Sequence, residues 1–263
     1  MEHKLIQITQ AALCVAAVAA LPAWADEAWS AGAGVEYSSG KYGSTSTTEA
    51  LSVPVYLQYG SELWSIRLTV PYLQVTGDGS VIVSGGGMQG NRRSGSTTTT
   101  TKRTTESGLG DILLSAKRNL VSALDAGVGV DITGRVKFGT ASKTMGSGLN
   151  DYAVQVATYT LMGRFSPGIM VGYEVLGDTT AQPLNDVYYG TLGGRYRFSD
   201  DTSAGVEYYY GQRASDAGAD KREFSLYGNY RYAPYRFIGL YLMKGYSDGS
   251  PDEGAGVSLS AEF

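Results

Sequence analysis

Histidine and cysteine are almost missing from this chain of 263 residues: His3 and Cys14 are the sole examples. Both fall in the first 25 residues, which read as a cleavable secretory leader. Lys4 supplies a basic start, Ala11 to Leu21 an apolar run, Pro22 a break and Ala23-Trp24-Ala25 a small-x-small cleavage pattern. The run is too short to span a bilayer, and Leu13 before Cys14 does not suit a lipoprotein signal. Cleavage after Ala25 is expected to leave residues 26–263 as one domain without thiol or imidazole. That excludes disulfides, cysteine nucleophiles, histidine-based triads and His or Cys metal sites.

Long apolar runs are also lacking. After the leader nothing approaches the ~18 consecutive apolar residues of a spanning helix. Charge of one sign is lacking too: 21 Lys+Arg against 25 Asp+Glu give −4, and nothing points to a nucleic acid partner. No cofactor is expected. Gly85-Gly86-Gly87 has neither the strand-to-helix context nor the spacing of a phosphate loop. The carboxylate pairs Asp200/Asp201 and Asp252/Glu253 sit in a turn and a loop and read as turn formers, so the chain is not expected to be an enzyme.

What is present is glycine (36), tyrosine (20) and period-2 alternation along the whole length. Gly256-Val257-Ser258-Leu259-Ser260-Ala261-Glu262-Phe263 alternates apolar with small or polar residues and ends on Phe. Such an ending resembles the assembly signal of Gram-negative outer-membrane proteins, which implies the barrel-assembly machinery as a partner through Phe263. The alternation predicts strands over Trp29–Ser38, Ala50–Tyr59, Leu63–Val75, Gly108–Asn119, Ala126–Phe138 and Asp151–Leu161. It continues over Pro167–Leu176, Asp186–Phe198, Ser203–Arg213, Arg222–Tyr232, Arg236–Tyr246 and Ala255–Phe263. These lengths suit the ~9–11 residues of a tilted membrane strand. Connections after even strands are short and those after odd strands are generally longer. The expected fold is all-β: a transmembrane antiparallel up-and-down β-barrel of about 12 strands, of the bacterial outer-membrane type. A misread third loop would make the count ten or fourteen. Pro54 and Pro71 fall inside strands, and a bulge or strand end is expected at one or both.

Alternation also assigns faces. The apolar face must meet lipid, where a basic residue at the midplane costs ~2–4 kcal/mol. Its character gives no sign of oligomeric state. The other face would line the lumen with Arg67, Asp111, Lys117, Asp131, Arg135, Lys137, Glu174, Arg195, Arg197, Glu207 and Arg231. Two readings stay open: a self-paired network that fills a closed structural or adhesive barrel, or a polar channel for small solutes with Arg135, Lys137, Arg195 and Arg197 as its filter. In the eleventh strand Phe237, Tyr241 and Met243 make the second face apolar as well, which suits hydrophobic solutes or a plug. The long third loop, Thr76–Ser107, carries Asn91-Arg92-Arg93, a threonine run from Thr97 to Thr101 and Lys102-Arg103. It reads either as a surface loop whose cations meet lipopolysaccharide phosphates or as a constriction folded into the mouth.

Three stretches carry a family likeness: Val53-Pro54-Val55-Tyr56-Leu57-Gln58-Tyr59-Gly60, Leu68-Thr69-Val70-Pro71-Tyr72 and Gly108-Leu109-Gly110-Asp111-Ile112-Leu113-Leu114. Over Ala50 to Asn119 the chain resembles the outer-membrane transporter family grouped with the phenol meta-cleavage (MetA) pathway β-barrel proteins. The resemblance implies an outer-membrane barrel that moves small, often aromatic or hydrophobic, compounds. It names no binding residues.

Overall fold

The alternating segments pair in chain order and close on themselves. The computed structural model describes residues 29–79, 81–83, 92–94, 103–142, 145–179 and 183–263; the leader, Gly85–Gly87 and the threonine run lie outside them. β1 (Trp29–Gly40), β2 (Thr48–Gly60) and β3 (Trp64–Gly77) form consecutive antiparallel pairs. A short ladder, β4 (Val81–Val83) with β5 (Arg92–Ser94), lies in the third loop. The fourth barrel strand is made of two pieces, β6 (Thr104–Leu109) and β7 (Ile112–Val121). A helical turn, α1 (Ala123–Ala126), leads to β8 (Val128–Phe138). There follow β9 (Asp151–Thr160), β10 (Phe165–Val175), β11 (Val187–Arg197), β12 (Thr202–Gly211), β13 (Lys221–Ala233), β14 (Arg236–Gly245) and β15 (Glu253–Glu262). β15 pairs with β1 from Ser30↔Glu262 to Ser39↔Glu253, closing an antiparallel barrel of twelve strand positions. Trp29 and Phe263 seal the seam: each backbone N–H donates to the other's carbonyl, at 3.3 and 2.8 Å.

The two prolines explain the break in the fourth strand. Pro54 and Pro71 lie directly opposite each other in the β2–β3 ladder. The Pro71 carbonyl accepts from Gly110 N–H at 2.8 Å, so the backbone polar groups of Pro71 point toward the fourth strand. The missing proline N–H therefore falls on that side, where no donor is available to β7. There the register slips by one, from Thr69↔Leu113 to Tyr72↔Leu109, and Gly110-Asp111 separates β6 from β7. On the far side of Pro54 the register is kept, but the β1–β2 ladder lapses between Ala33↔Val55 and Glu36↔Ser52. The expected bulge thus occurs in the partner of one proline, as one more residue than its neighbour needs.

The outer surface is apolar. Leu68, Val154, Ile169, Leu192 and Leu240 are exposed along the middle of the wall. Trp29, Trp64, Tyr196 and Phe198 are exposed toward the short-turn mouth, and Phe138, Tyr152, Tyr188 and Tyr210 toward the long-loop mouth. An apolar belt between two aromatic girdles is the outer surface of a membrane barrel. Leu192 is 63 % exposed and is flanked by Ile169 and Tyr208 on the adjacent strands. Leu192→Arg is expected to destabilise the folded barrel by about 2–4 kcal/mol in urea unfolding from lipid vesicles, because the cation faces hydrocarbon.

The tightly packed part of the molecule is not mid-barrel. The largest fully buried side chains are Leu73, Met145, Asp111, Asp151, Pro71, Pro251 and Ser250. They gather toward the long-loop mouth, which the interior of the barrel reaches last.

Candidate functional site: the lumen

Inward-facing residues are set by strand parity, and two features of the sequence shape what they enclose. The first is a run of cross-strand tyrosine–glycine pairs. Tyr56 faces Gly32, Tyr159 faces Gly129, Tyr189 faces Gly172, Tyr227 faces Gly205 and Tyr241 faces Gly256, each directly opposite in the ladder. Each ring leans onto its glycine: a Cβ on Gly129 would come within 2.3 Å of the Tyr159 ring, and one on Gly172 within 2.3 Å of the Tyr189 ring. A Cβ there would push the ring off the wall and into the lumen. The glycines therefore let the rings lie against the wall.

The second feature is a set of ion pairs decided by register. Lys137 lies directly opposite Asp151. Its Nζ is 2.7 Å from Asp151 Oδ2 and 3.2 Å from Asp111 Oδ2. Neither contact has hydrogen-bond geometry, so both are ion pairs. The Lys137 side chain is 5 % exposed and those of both carboxylates 1 %. The break after Leu109 is what puts Asp111 at this height. Asp111 Oδ1 accepts from Ala141 N–H at 3.0 Å, and Asp151 Oδ1 accepts from Gly177 N–H at 2.8 Å. The cluster thereby ties the Gly139–Asn150 connection down, and Ala141 and Met145 pack on the inward face of Leu73.

Arg135 reaches past the small Ala153, its ladder partner on β9, to Glu174 on β10 at 3.6 Å. Its guanidinium also stands 5.9 Å from the Tyr189 ring centroid, and Tyr189 Oη donates to Gln155 Oε1 at 3.0 Å. Arg67 stacks on the Tyr56 ring at 4.2 Å, and its Nε donates to Gln58 Oε1 at 2.8 Å. Lys117 approaches Asp131 at 3.7 Å, and the Asn119 amide donates to Asp131 Oδ1 at 2.8 Å.

Described residues enclose two neighbouring cavities in the lumen. One of 470 Å³ has Glu36, Tyr56, Arg67, Arg135 and Tyr241 in its wall. The other, of 310 Å³, has Tyr159, Met170, Arg195 and Glu207 in its wall. Gln155 and Tyr227 line both, so the two are neighbours.

Of the charges assigned to the lumen from sequence, the structure places Arg67 and Arg135 on the larger cavity and Arg195 and Glu207 on the smaller. Asp111 and Lys137 are together in the buried cluster, Glu174 is the partner of Arg135, and Lys117 and Asp131 pair. Arg231 is drawn to the short-turn rim, where Nη2 and Nε each approach Asp201 Oδ1 at 2.6 Å. Arg197 ends β11 at the same rim. The four basic residues Arg135, Lys137, Arg195 and Arg197 do not converge: two are held by carboxylates and Arg197 is at the rim. The residues sequence reasoning passed over are Tyr56, Gln155, Met145, Asp151, Tyr159, Tyr189 and Tyr227. The inward parity of Phe237, Tyr241 and Met243 is a trace of the aromatic lumen that alternation gives. The packed loop is Gly139–Asn150, whereas from the sequence the third loop was the candidate constriction. Around the third loop the described contacts are an Arg103–Glu49 ion pair and a Thr76–Thr105 hydroxyl contact at 2.9 Å.

A family model described as "Putative MetA-pathway of phenol degradation" matches residues 31–263. The chain belongs to this family. The match spans the whole barrel, beyond the Ala50–Asn119 stretch whose motifs carry the likeness in sequence. No curated protein matches this member of the MetA-pathway family. Among solved structures, an outer membrane channel from Pseudomonas putida F1 is similar at a TM-score of 0.66 and 15% identity, over 93% of this chain and 97% of that one. The NanC porin is similar at 0.55 and 11% identity, over 89% and 98% of the two chains. The KdgM porin is similar at 0.52 and 10% identity, over 89% and 99%. At these identities the shared property is the fold, and in this MetA-pathway family member that fold is a closed barrel of twelve strand positions.

Proposed function

We propose that this chain is a channel of the bacterial outer membrane that passes small solutes, hydrophobic or aromatic compounds among them. The observation that carries this reading is the pair of adjacent lumen cavities, walled by tyrosine rings and polar groups and joined along Gln155 and Tyr227. Volumes of 470 and 310 Å³ lie at the small end of the ~300–1,000 Å³ typical of small-molecule sites. The wall is amphipathic: rings offer apolar faces, and hydroxyls, amides and guanidinium groups offer hydrogen bonds. The apolar outer belt suits a membrane, and the family name ties relatives to aromatic breakdown. The proteins of similar fold are a channel and two porins, which supports transport over catalysis. A chain stripped of His3 and Cys14 with its leader would lack the usual hydrolytic nucleophile–base sets.

In this reading the long loops are extracellular, where basic residues of the third loop meet lipopolysaccharide, and the short turns are periplasmic. The leader directs export, and the barrel-assembly machinery recognises the last strand through Phe263. Arg67, Arg135, Arg195 and Glu207 are the charged groups that solute would pass. A closed structural barrel is the second reading, and one observation favours it: Met145 and Ala141 seated on Leu73 narrow the long-loop mouth.

Liposome swelling separates the two. Vesicles holding refolded protein are expected to swell in a monosaccharide or a small amino acid faster than protein-free vesicles, with rates falling steeply as solute size rises. Swelling no faster than protein-free vesicles, with the barrel folded, contradicts the channel.

A further inference from the structure

We infer that the larger lumen cavity is a binding site for a small aromatic monoanion, its carboxylate taken by Arg67. This rests on the channel reading and adds a ligand class to it. The argument starts with how Arg67 is held. Gly32 lacks a Cβ, so the Tyr56 ring leans on it; an added Cβ would sit 2.3 Å from that ring. The ring so placed supports the Arg67 guanidinium at 4.2 Å, and Gln58 holds the Nε edge at 2.8 Å. Three adjacent strands, β1, β2 and β3, thus fix the plane of one guanidinium. A guanidinium held by its Nε edge presents its two Nη groups, the fork that fits a carboxylate.

Neither partner of Arg67 is an anion, and among the described residues no carboxylate lies within ion-pair distance of it. That separates it from Lys117, Arg135 and Lys137, each of which meets a carboxylate. Lys137 has two carboxylates, and Arg135, on the same cavity, has Glu174. Around Arg67 the cavity offers the rings of Tyr227 and Tyr241 and the hydroxyl-bearing Ser115 and Ser258. A ring-bearing acid fits this division, with its carboxylate on the guanidinium fork and its ring against tyrosine faces. Glu36 also lines the cavity and opposes an anion, which gives the inference a second sign to test.

The experiment is calorimetric titration of the refolded full-length barrel in detergent with three probes: benzoate, the neutral benzyl alcohol and acetate. Benzoate is expected to bind more tightly than either. Arg67→Gln is expected to weaken benzoate by about tenfold while leaving benzyl alcohol unchanged, the loss of one charge-assisted contact. Arg67→Lys is expected to fall between, and Glu36→Gln to tighten benzoate. Heat-modifiable migration on gels checks that each variant is folded. Equal binding of benzoate and benzyl alcohol, or an Arg67→Gln barrel that binds benzoate as the unchanged protein does, overturns the inference. Binding is read without conduction, so the outcomes separate. A barrel that binds benzoate but passes no solute fails as a channel and keeps the site. One that passes solutes without preferring benzoate loses the site alone.

Discussion

Lys137→Met is expected to destabilise the barrel by about 3–5 kcal/mol, read as a lowered urea midpoint in lipid vesicles. Methionine keeps much of the lysine's length and volume, so packing changes little. What is lost is the positive charge that, among the described residues, stands between Asp111 and Asp151, two carboxylates that are 1 % exposed. Without that charge two buried carboxylates are left facing each other, and removing one partner of a buried pair costs far more than the pair is worth. Asp111→Asn should cost much less. It leaves one carboxylate for one lysine, and an amide oxygen can still accept from Ala141 N–H, the bond that holds the Gly139–Asn150 connection. An Asp111→Asn barrel as unstable as the Lys137→Met barrel would mean that the cluster is not organised by its charge. The same Lys137 change removes the Nζ bond to Ser147 Oγ at 3.4 Å, one of the ties on the loop that carries Met145 over Leu73, so the surviving folded molecules are expected to conduct in longer or larger openings.

Gly129→Ala is expected to damage both stability and passage through a single side chain. The three atoms nearest to an added Cβ are all in the Tyr159 ring, at 2.3, 2.7 and 2.8 Å, and none belongs to backbone. The ring must leave the wall, and its way out is toward the smaller cavity, which it lines. Overpacking of this kind typically costs about 1–3 kcal/mol. Solute passage should fall as the ring enters the lumen. In Gly129→Ala/Tyr159→Ala the clash is gone, so the double variant should regain passage, with a coupling energy of about 0.5–3 kcal/mol between the two sites. Additive effects of the two changes would show that the ring and the glycine do not meet in the membrane. The other tyrosine–glycine pairs follow the same logic, but Gly205 is a poorer test, since its Cβ would also meet the Gly194 carbonyl at 2.6 Å.

The parts of the fold that were legible in the sequence are those that depend on one strand at a time. Alternation within Trp64–Gly77 or Val128–Phe138 is enough to say which residues meet lipid, because each strand has two faces and one must be apolar. Loop lengths gave the two mouths for the same reason. The lumen is a property of register between strands, and sequence alternation does not contain it. Gly129 and Tyr159 are far apart in the chain and meet only because β8 and β9 pair as they do. Lys137 could be placed on the inner face from its strand alone. That it is consumed by Asp151 and Asp111 depends on the β8–β9 register and on the slip opposite Pro71. In sequence the basic pair Arg135/Lys137 could be read as a filter or as part of a self-paired network, and in the fold both cations meet carboxylates. The inward loop was also hidden, because composition marks Thr76–Ser107 as unusual while the apolar anchors Ala141 and Met145 are two ordinary residues in a shorter connection.

Single-channel recording of the refolded, unmodified barrel in a planar bilayer tests the central claim most directly. The channel account predicts small, steady conductance steps whose size is set by a lumen lined with tyrosine rings. A barrel shown to be folded that inserts and passes no current would contradict it, and would assign the packed mouth and its charge cluster to a closed structural barrel.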